Sequence, residues 1–435
     1  MKQDATTILF GLAGLRVVDV VRGAGGARVV QVVTAPDAAP AAASCPLCGV
    51  LSVSVRQRRI TRPRDVPLGE EPLAVRWHKV QYACREVLCA RRAFTEQVPE
   101  VPAGARVTGR LRRHVAGRVA DGLAVSVAAD GLLSWPIAHA AWVAHADAML
   151  VEPELVRVLG IDETRRGKPV WVLAPDGKGW VKTERFETNF VDLGGCQGLL
   201  GQAAGRTKAN AVAWLQERGQ AWQDHVQIVA MDPCAAYRAA VREALPNALI
   251  VADHFHLVAL SNQAVTEVRR RVTIDLTGKR GTAKDPIWAK RTRLLRGYER
   301  LSPAQFTKMW NGLLDGDPTL QILAAWIAKE ELRLLLATAK TGGNRHDIAH
   351  RLFRFNYWCA TAGVPELHRL ASTIERWWPE VLGFLQTNVT NAGTESTNRT
   401  VKTAARTACG FRNLKNQRRR VRFACTRRHR RAIAS

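Results

Sequence analysis

The sequence predicts a multidomain protein: an α/β domain with an all-α insertion, preceded by a cysteine-rich module and a helix-turn-helix. Three observations predict this class. Two pairs of cysteines lie near the N-terminus, strand-like and helix-like stretches alternate between 155 and 258, and the strand signal is lost between 260 and 385. A chain of 435 residues exceeds one ordinary core, and its hydrophobic content of 47% is sufficient for several.

The charge balance limits the classes of partner. The chain has 64 Lys and Arg against 38 Asp and Glu, a formal net charge of +26. Such a field attracts polyanions, and because the basic residues cluster, nucleic acid is a better candidate than a membrane surface. The sequence has no apolar run of transmembrane length and no uninterrupted apolar region typical of a secretory signal. We therefore expect a cytoplasmic protein whose nine cysteines are reduced and free to bind metal.

Residues 1–100 are expected to form a β-rich, zinc-binding module. Strand-like runs at 8–21 and 27–34 flank a glycine-rich turn, and an Ala- and Pro-rich linker follows.

Four cysteines in two pairs are the candidate zinc ligands. Cys45-x2-Cys48 is a tight knuckle suited to tetrahedral zinc, and Cys84-x4-Cys89 would complete the set. The alternative is four ordinary reduced thiols, and His78 is a possible substitute ligand. The hairpin-like span between the pairs carries five arginines that could touch phosphate: Arg56, Arg58, Arg59, Arg62 and Arg64.

Residues 105–150 have the rhythm of a helix-turn-helix. Two helices are predicted before the turn GLLS, and the helix at 135–146 would be the recognition helix, with Ser134 as N-cap and Pro136 in its first turn. The alternative is a plain helical hairpin that joins two domains. A cluster of arginines favours contact with DNA: Arg110, Arg112 and Arg113.

Acidic residues end the predicted strands of the α/β domain at 155–259. VRVLGID ends at Asp162 and VQIVAMD at Asp232, and a third predicted strand, ALIVADHF, brings Asp253 and His256 to a similar level. An apolar strand that ends in a carboxylate delivers it to the edge of the sheet where α/β active sites lie.

Carboxylates in this arrangement indicate phosphodiester chemistry. A further one, Glu395, begins an Arg- and Lys-rich helix much later in the chain. Two Mg²⁺ ions about 4 Å apart can activate a nucleophile and stabilise the leaving oxygen. Mg²⁺ prefers carboxylate oxygen, and Mn²⁺ could substitute. Structural alternatives exist: Asp232 could cap the next helix, and Glu395 could pair with Arg399.

The same motifs carry a resemblance to a known family. The sequence resembles the bacterial insertion-sequence transposases of the ISL-three family, which have a DDE catalytic domain with a ribonuclease-H-like fold. The motifs run in the same order over nearly the whole chain: CPLC with the later C-x4-C, GIDE at Asp162, MDPCAAYRAAV at Asp232, VADHFHLV at Asp253 and TNAGTESTNRTVKTAARTACGFRNLKNQRRR at Glu395.

The resemblance implies roles for the acidic residues. It implies a metal-binding triad of Asp162, Asp232 and Glu395. It also implies that Asp253 and His256 line the site. Because adjacent strand residues point to opposite faces, Glu163 should point away from the metals.

The resemblance further implies a DNA transposase. The enzyme would bind terminal inverted repeats, cut at the element end and join the resulting 3′-hydroxyl to target DNA. Joining two ends in one event requires a homodimer or larger synaptic assembly, located at the bacterial nucleoid. Two alternatives remain open: a non-catalytic zinc-finger and helix-turn-helix regulator, and a structure-selective nuclease of the same fold.

Asp232 and Glu395 are 163 positions apart, more than a compact core of this kind needs. Residues 260–385 are therefore interpreted as the all-α insertion, and 386–435 as the final helix with a basic tail. Most tryptophans of the insertion should fill its core, and one or two could stack on an unpaired base: Trp288, Trp310, Trp326, Trp358, Trp377 and Trp378.

Basic residues of the insertion and the C-terminal region are predicted to contact DNA phosphates, because dense Arg tracts repel themselves unless they meet an anion. The residues are Arg269, Arg270, Arg271, Lys402, Arg406, Arg412, Lys415, Arg418, Arg419 and Arg420, and the tail adds Arg422, Arg427, Arg428, Arg430 and Arg431.

Overall fold

The computed structural model describes most of the chain, namely residues 4–23, 26, 28–68, 73–282, 285–408 and 410–434, without the side chains of residue 286 and of residues from 427 onward. The chain divides into two compact units: Met1–Val151 with Arg406–Phe411, and Glu152–Ala405 with Arg412–Ser435. Among the described helices, none combines the length and apolar character that crossing a membrane requires.

The first unit is built on a five-stranded sheet. Its strands are β1 (Leu15–Arg22), β2 (Arg28–Thr34), β3 (Val55–Thr61), β4 (Leu73–Ala83) and β5 (Ala93–Thr95). They pair in the order β1-β2-β4-β3, with β5 beside β4, and only β2 and β4 run parallel. Val32 and Trp77 are fully buried and form the core of this sheet with Phe10 and Leu15.

The prediction of a strand starting at residue 8 was wrong, because α1 (Ala5–Phe10) occupies that stretch. The carboxylate of Asp4 accepts the amide of Thr7 at 2.8 Å and caps the helix, and Gly11, at a φ of 62°, ends it. A second short helix, α2 (Ala39–Ala42), lies in the predicted linker.

Three helices follow the sheet: α3 (Gly109–Ala120), α4 (Val125–Ala129) and α5 (Trp135–Met149). They pack together and bury Leu111 of α3 and Trp142 of α5. The Thr108 hydroxyl caps α3. Ser134 stands at the N-cap position of α5 and Pro136 in its first turn, as predicted, but the Ser134 side chain makes no capping hydrogen bond.

The second unit contains a five-stranded mixed sheet and a separate two-stranded ribbon. The strands are β6 (Val158–Arg165), β7 (Val170–Leu173), β8 (Trp180–Thr183), β9 (Phe186–Asp192), β10 (Leu199–Ala204), β11 (Ile228–Met231) and β12 (Leu249–Ala252). The sheet order is β10-β9-β6-β11-β12, in which β10, β9 and β6 are antiparallel and β6, β11 and β12 are parallel. Strands β7 and β8 form the ribbon.

Helices cover both faces of this sheet. The helices of one face are α6 (Lys208–Gln216), α7 (Gln220–His225) and α8 (Ala235–Ala244). Ile161 and Phe190 of the sheet share a core with them, in which the Phe190 and Trp214 rings stack at 3.8 Å. On the other face, α17 (Ala392–Thr407) and α18 (Leu414–Ala434) pack Val401 and Val421 against Val191.

The described residues between β12 and α17 contain helices and no strand. The helices are α9 (His254–Thr277), α10 (Pro286–Ala289), α11 (Arg291–Leu294), α12 (Pro303–Gly316), α13 (Gln321–Ala337), α14 (Arg345–Thr361), α15 (Pro365–Arg376) and α16 (Trp378–Thr387). Trp326 and Trp377 are buried in their core, and three more tryptophans pack partly against it: Trp310, Trp358 and Trp378. Trp288 is half-buried beneath the guanidinium of Arg291.

Two sequence expectations for the sheet need correction. The predicted strand ALIVADHF ends at Ala252, because α9 begins at His254 and places His256 in its first turn. Strands β9 and β10 were not predicted, although they form one side of the sheet.

Candidate active site and zinc centre

The strand register brings three aspartates to one edge of the sheet. Ile161 of β6 pairs with Met231 of β11, and Met231 pairs with Ala252 of β12. Asp162, Asp232 and Asp253 are each the next residue, so they lie at the same level on three adjacent parallel strands, about 4.8 Å from one to the next. Strands β11 and β12 end at this level, whereas β6 continues to Arg165 beyond the end predicted at Asp162, and the three carboxylates form an acidic edge.

His256 joins two of these aspartates. Its Nε2 lies 2.9 Å from Asp232 Oδ2, and its Nδ1 lies 3.2 Å from Asp253 Oδ2. Hydrogen bonds to Asp232 and to Asp253 raise the pKa of His256 to about 10, so the ring is protonated and donates through both nitrogens. Ligand atoms of the three side chains all lie within 4.8 Å of one another.

Asp162 faces α17. Its Oδ2 accepts a hydrogen bond from Asn398 Nδ2 at 2.5 Å, and its Oδ1 accepts the amide of Glu163. Burial and then the charge of Asp232 raise the pKa of Asp162 to about 7. Glu163 points to the opposite face, where its carboxylate lies near Tyr237 and Arg206.

Glu395 lies in the first turn of α17, and the residues around it fix that turn against the acidic edge. The amide of Asn391 donates to Asp253 Oδ1 at 3.2 Å, and Asn398 holds Asp162. Burial lowers the pKa of His254, the residue after Asp253, against the opposing charge of that aspartate. Within the described residues, the triad Asp162–Asp232–Glu395 does not form as tight a cluster as Asp232, Asp253 and His256.

Close approach of α17 to β6 requires a glycine. A Cβ at Gly160 would lie 2.0 Å from Thr394 Oγ1 and 3.0 Å from Leu193. Gly160 and Asp162 lie on the same face of β6, two residues apart. The close contact between β6 and α17 is therefore next to the acidic edge.

A chain of buried side-chain amides ends in a hydrogen bond to Asp162, and it was not predicted from the sequence. Gln202 Nε2 donates to Asn189 Oδ1, Asn189 Nδ2 donates to Asn398 Oδ1, and Asn398 donates to Asp162. Asn189 and Asn398 are almost fully buried. The signal that could have found Asn398 is its position three residues after Glu395, which puts both on one helix face.

The acidic edge fits divalent cations. Asp232 Oδ1 is buried, and no other described residue offers it a hydrogen bond. A buried carboxylate oxygen without a donor costs free energy unless a cation meets it. Carboxylate oxygens are the ligands that Mg²⁺ and Mn²⁺ prefer.

The four predicted zinc ligands are brought together in the first unit. The Sγ atoms of Cys45, Cys48, Cys84 and Cys89 all lie within 4.8 Å of one another. Burial would raise the pKa of Cys45, but the amides of Cys48 and Leu47 lower it to about 6, whereas burial and the neighbouring thiols raise the pKa of Cys48 and of Cys84. Without a cation the cluster therefore favours one thiolate, and a bound zinc ion would favour the others. The knuckle closes at a glycine with a φ of 75°, a conformation that favours this residue. Four thiolates at this spacing fit tetrahedral zinc.

Several arginines predicted to bind DNA have partners inside the protein. Arg110 forms an ion pair with Asp65, and Arg271 forms one with Glu366. Arg269 is buried. Two more arginines pair with carboxylates: Arg113 with Glu100, and Arg418 with Glu187.

Other predicted basic contacts lie at the surface. The exposed residues are Arg112, Arg270, Lys402, Arg406, Arg412 and Lys415. Arg419, Arg420 and Arg422 are half-buried, and the side chains of Arg427, Arg428, Arg430 and Arg431 lie outside the described residues.

Comparison with known proteins gives matches over both units. A transposase family model, DDE_Tnp_ISL3, matches residues 173–421, more than half of the chain, and a zinc-finger model of IS204/IS1001/IS1096/IS1165 transposases matches residues 41–89. The first match includes Asp232, Asp253 and Glu395 but begins after Asp162.

Similar curated proteins include two transposases. The chain is 24% identical to the transposase for insertion sequence element IS1001 of Bordetella parapertussis, over 85% of each chain. It is 27% identical to the transposase for IS1557 of Mycobacterium tuberculosis strain H37Rv, over 55% of this chain and 56% of that one. A solved structure, the Drosophila P element transposase strand transfer complex, aligns with a TM-score of 0.36 at 10% identity, over 73% of this chain and 91% of that one.

Proposed function

Because the chain belongs to the ISL3 family of insertion-sequence transposases, we propose that Asp162, Asp232 and Glu395 carry metal-dependent cleavage and joining of DNA. The observation that carries this proposal is the parallel register of β6, β11 and β12, which aligns acidic residues at one edge. Asn391 and Asn398 then tie the first turn of α17, with Glu395, to the same edge.

The sheet supports a ribonuclease-H-like assignment for this domain. An antiparallel meander of β6, β9 and β10, extended by the parallel strands β11 and β12, is the arrangement expected of that fold. The helices between β12 and α17 are then an insertion, and α17 returns the chain to the catalytic domain. The domains proposed on this basis are 1–100, 105–150, 155–259, 260–385 and 386–435.

The residues of the acidic edge have distinct tasks in the proposed reaction. Two divalent cations, when bound, lower the pKa of the attacking hydroxyl and offset charge on the attacked phosphate. Asp232 offers an oxygen without a donor, and Asn398 fixes the orientation of Asp162. His256 holds a proton between Asp232 and Asp253, which balances negative charge when cations are not bound. One set of carboxylates serves cleavage and joining because in-line displacement is symmetric about the phosphate.

The proposed partners are the terminal inverted repeats of the element and a target DNA. The zinc module and the helices α3 to α5 are proposed to bind the repeats, with α5 as the recognition helix. Two ends are joined together, so the active form is proposed to be a homodimer or larger assembly.

Asp232→Asn tests the proposal directly. The amide keeps the size of the side chain and removes its charge, so cleavage should fall more than about a hundredfold, since even the supporting residues of metal sites contribute 10–100-fold. DNA binding should persist. The matched control is Asp224→Asn, an exposed aspartate of α7.

The outcomes separate the alternatives. Full function of Asp232→Asn would point to a non-catalytic regulator. Cleavage by the wild-type protein without joining of a 3′-hydroxyl end to target DNA would point to a structure-selective nuclease.

A further inference from the structure

The ribbon of β7 and β8 exposes apolar side chains and is connected to the strand that carries Asp162. It leaves β6 after Arg165 and returns to β9 at Phe186, so it extends from the strand that carries Asp162. All of β8 and three of the four residues of β7 are exposed. A two-stranded ribbon is marginal in water by itself, and adjacent exposed apolar side chains are typical of interaction surfaces.

One face of the ribbon carries both tryptophans. Trp171 pairs with Lys182, and Leu173 pairs with Trp180. Paired residues share a face and successive residues alternate, so these four side chains lie on one face, which we call the tryptophan face. The indoles of Trp171 and Trp180 are 63% and 67% exposed. The opposite face carries smaller side chains: Val170, Val172, Val181 and Thr183.

The surroundings of the tryptophan face are basic. Residues 165–185 contain six Lys and Arg against two Asp and Glu. Four of the basic residues are exposed and, within the part of the chain that the structure describes, form no ion pair: Lys168, Lys178, Lys182 and Arg185. A site for an apolar protein surface would not need these four positive charges. Unpaired DNA offers both phosphates for the cations and base faces for the indoles.

We propose that the tryptophan face stacks on unpaired bases of the DNA end held at the acidic edge, which rests on the proposed transposase function. Asp162 and Trp171 are nine residues apart, so their Cα atoms are at most about 30 Å apart. A distance of about 30 Å corresponds to roughly nine base pairs of duplex, so one bound DNA end could contact both residues. Unpairing near the cut would let the ribbon hold one strand while the carboxylates act on it.

The test compares two DNA probes with the full chain. One is a labelled duplex with a single-stranded overhang, and the other is the blunt duplex of the same sequence. The double variant Trp171→Ala with Trp180→Ala should bind the overhang probe tenfold or more weakly, since loss of one stacked base weakens binding roughly five- to hundredfold. Affinity for the blunt duplex should change little. Trp171→Phe with Trp180→Phe should restore most of the overhang binding.

The matched control is Val172→Ala with Val181→Ala, which shortens exposed side chains on the opposite face of the same ribbon. Its affinity for both probes should equal that of the wild type. Cross-linking through 5-bromodeoxyuridine in the overhang should label the peptides that carry Trp171 and Trp180.

The results distinguish this inference from the proposed function. An unchanged affinity of the tryptophan variant, or an equal loss on both probes, overturns the role of the ribbon while leaving the transposase proposal intact. Loss of self-association without loss of DNA binding, seen by sedimentation, overturns it in favour of contact between two copies. Absence of binding by the wild-type chain to either probe would count against DNA as the partner altogether.

Discussion

Asp162 is subject to opposing effects on its charge. Burial and the carboxylate of Asp232 raise its pKa, whereas the Glu163 amide lowers it. Asn398 adds a second N–H donor, and Asn189 and Gln202 orient that donor through buried hydrogen bonds. Because amides do not titrate, this support is the same at every working pH. Under the proposed function, Asn398 would therefore be a positioning residue, which acts through Asp162.

Asn398→Ala should lower cleavage about 10–100-fold, the usual cost of losing a partner behind a metal ligand. Removing an N–H donor raises the pKa of Asp162 further, so the pH of half-maximal cleavage should move upward. The control Val401→Ala, at a buried position on the same helix, should lower stability but leave the pH profile in place. An unshifted profile for Asn398→Ala would contradict the positioning role.

The raised pKa of Asp162 also predicts a pH-dependent stability. Between pH 4 and pH 7 the folded state, with a pKa of about 7, binds more protons than the unfolded state, with a pKa near 3.8. The contribution of Asp162 to the free energy of unfolding is therefore present at low pH and is lost as the pH rises through this interval.

Asp162→Asn removes this titration, so in magnesium-free buffer the Tm of the variant should exceed that of the wild type increasingly from pH 4 to pH 8. The gap should reach several degrees, at about 2–4 °C per kcal/mol. Asp224→Asn, at an exposed position, should show a constant difference. A gap for Asp162→Asn that does not change with pH would refute the assignment.

At the scale of elements, the sequence predicted the strands that carry the aspartates better than the strands beside them. Apolar runs that end in Asp identified β6 and β11 directly. Strand β9 buries Glu187, Thr188 and Asn189, so its sequence lacks the apolar pattern of a buried strand. Pairing with the neighbouring strands stabilises it nevertheless. Strand β10 contains Gly201, where a Cβ would lie 2.7 Å from Trp214. These strands depend on contacts distant in sequence, which periodicity does not report.

A helix start near Glu395 was predicted from the sequence, but the contacts that hold this helix on the sheet were not. Glu395 was predicted to begin this helix; α17 begins three residues earlier, at Ala392, and Glu395 lies in its first turn. The contacts that hold that turn come from Asp253 and from Gly160, each more than a hundred residues away. A single sequence gives no information on such pairs.

Gly160→Ala tests how closely α17 must approach β6. The new methyl group would overlap Thr394 Oγ1, so the helix must shift, at a cost of about 1–3 kcal/mol in stability. Cleavage should fall with it, because the shift moves Glu395 from the acidic edge. Adding Thr394→Ala removes the overlapping oxygen and should recover part of both losses. No recovery in the double variant would mean that the glycine serves another purpose.

At the scale of the whole molecule, the excess of positive charge divides into two classes. Arg110, Arg271 and Arg418 neutralise carboxylates within their own units. Exposed residues such as Arg112 and Arg270 have no described carboxylate partner and are available to phosphate. Net charge alone does not distinguish the classes, so a basic sequence overstates the number of phosphate contacts.

Salt dependence of DNA binding measures how many exposed cations meet phosphate. Each contact releases counterions, so log K should fall linearly with log salt concentration with a slope of about −0.9 per contact. Arg112→Ala should make that slope shallower by about 1 if α3 contacts the DNA backbone. Arg271→Ala, which removes an arginine already paired with Glu366, should leave the slope unchanged although it lowers stability. A flat dependence for the wild type would mean that the charge excess does not bind DNA. Equal slopes for the wild type and Arg112→Ala would place the backbone contacts away from α3.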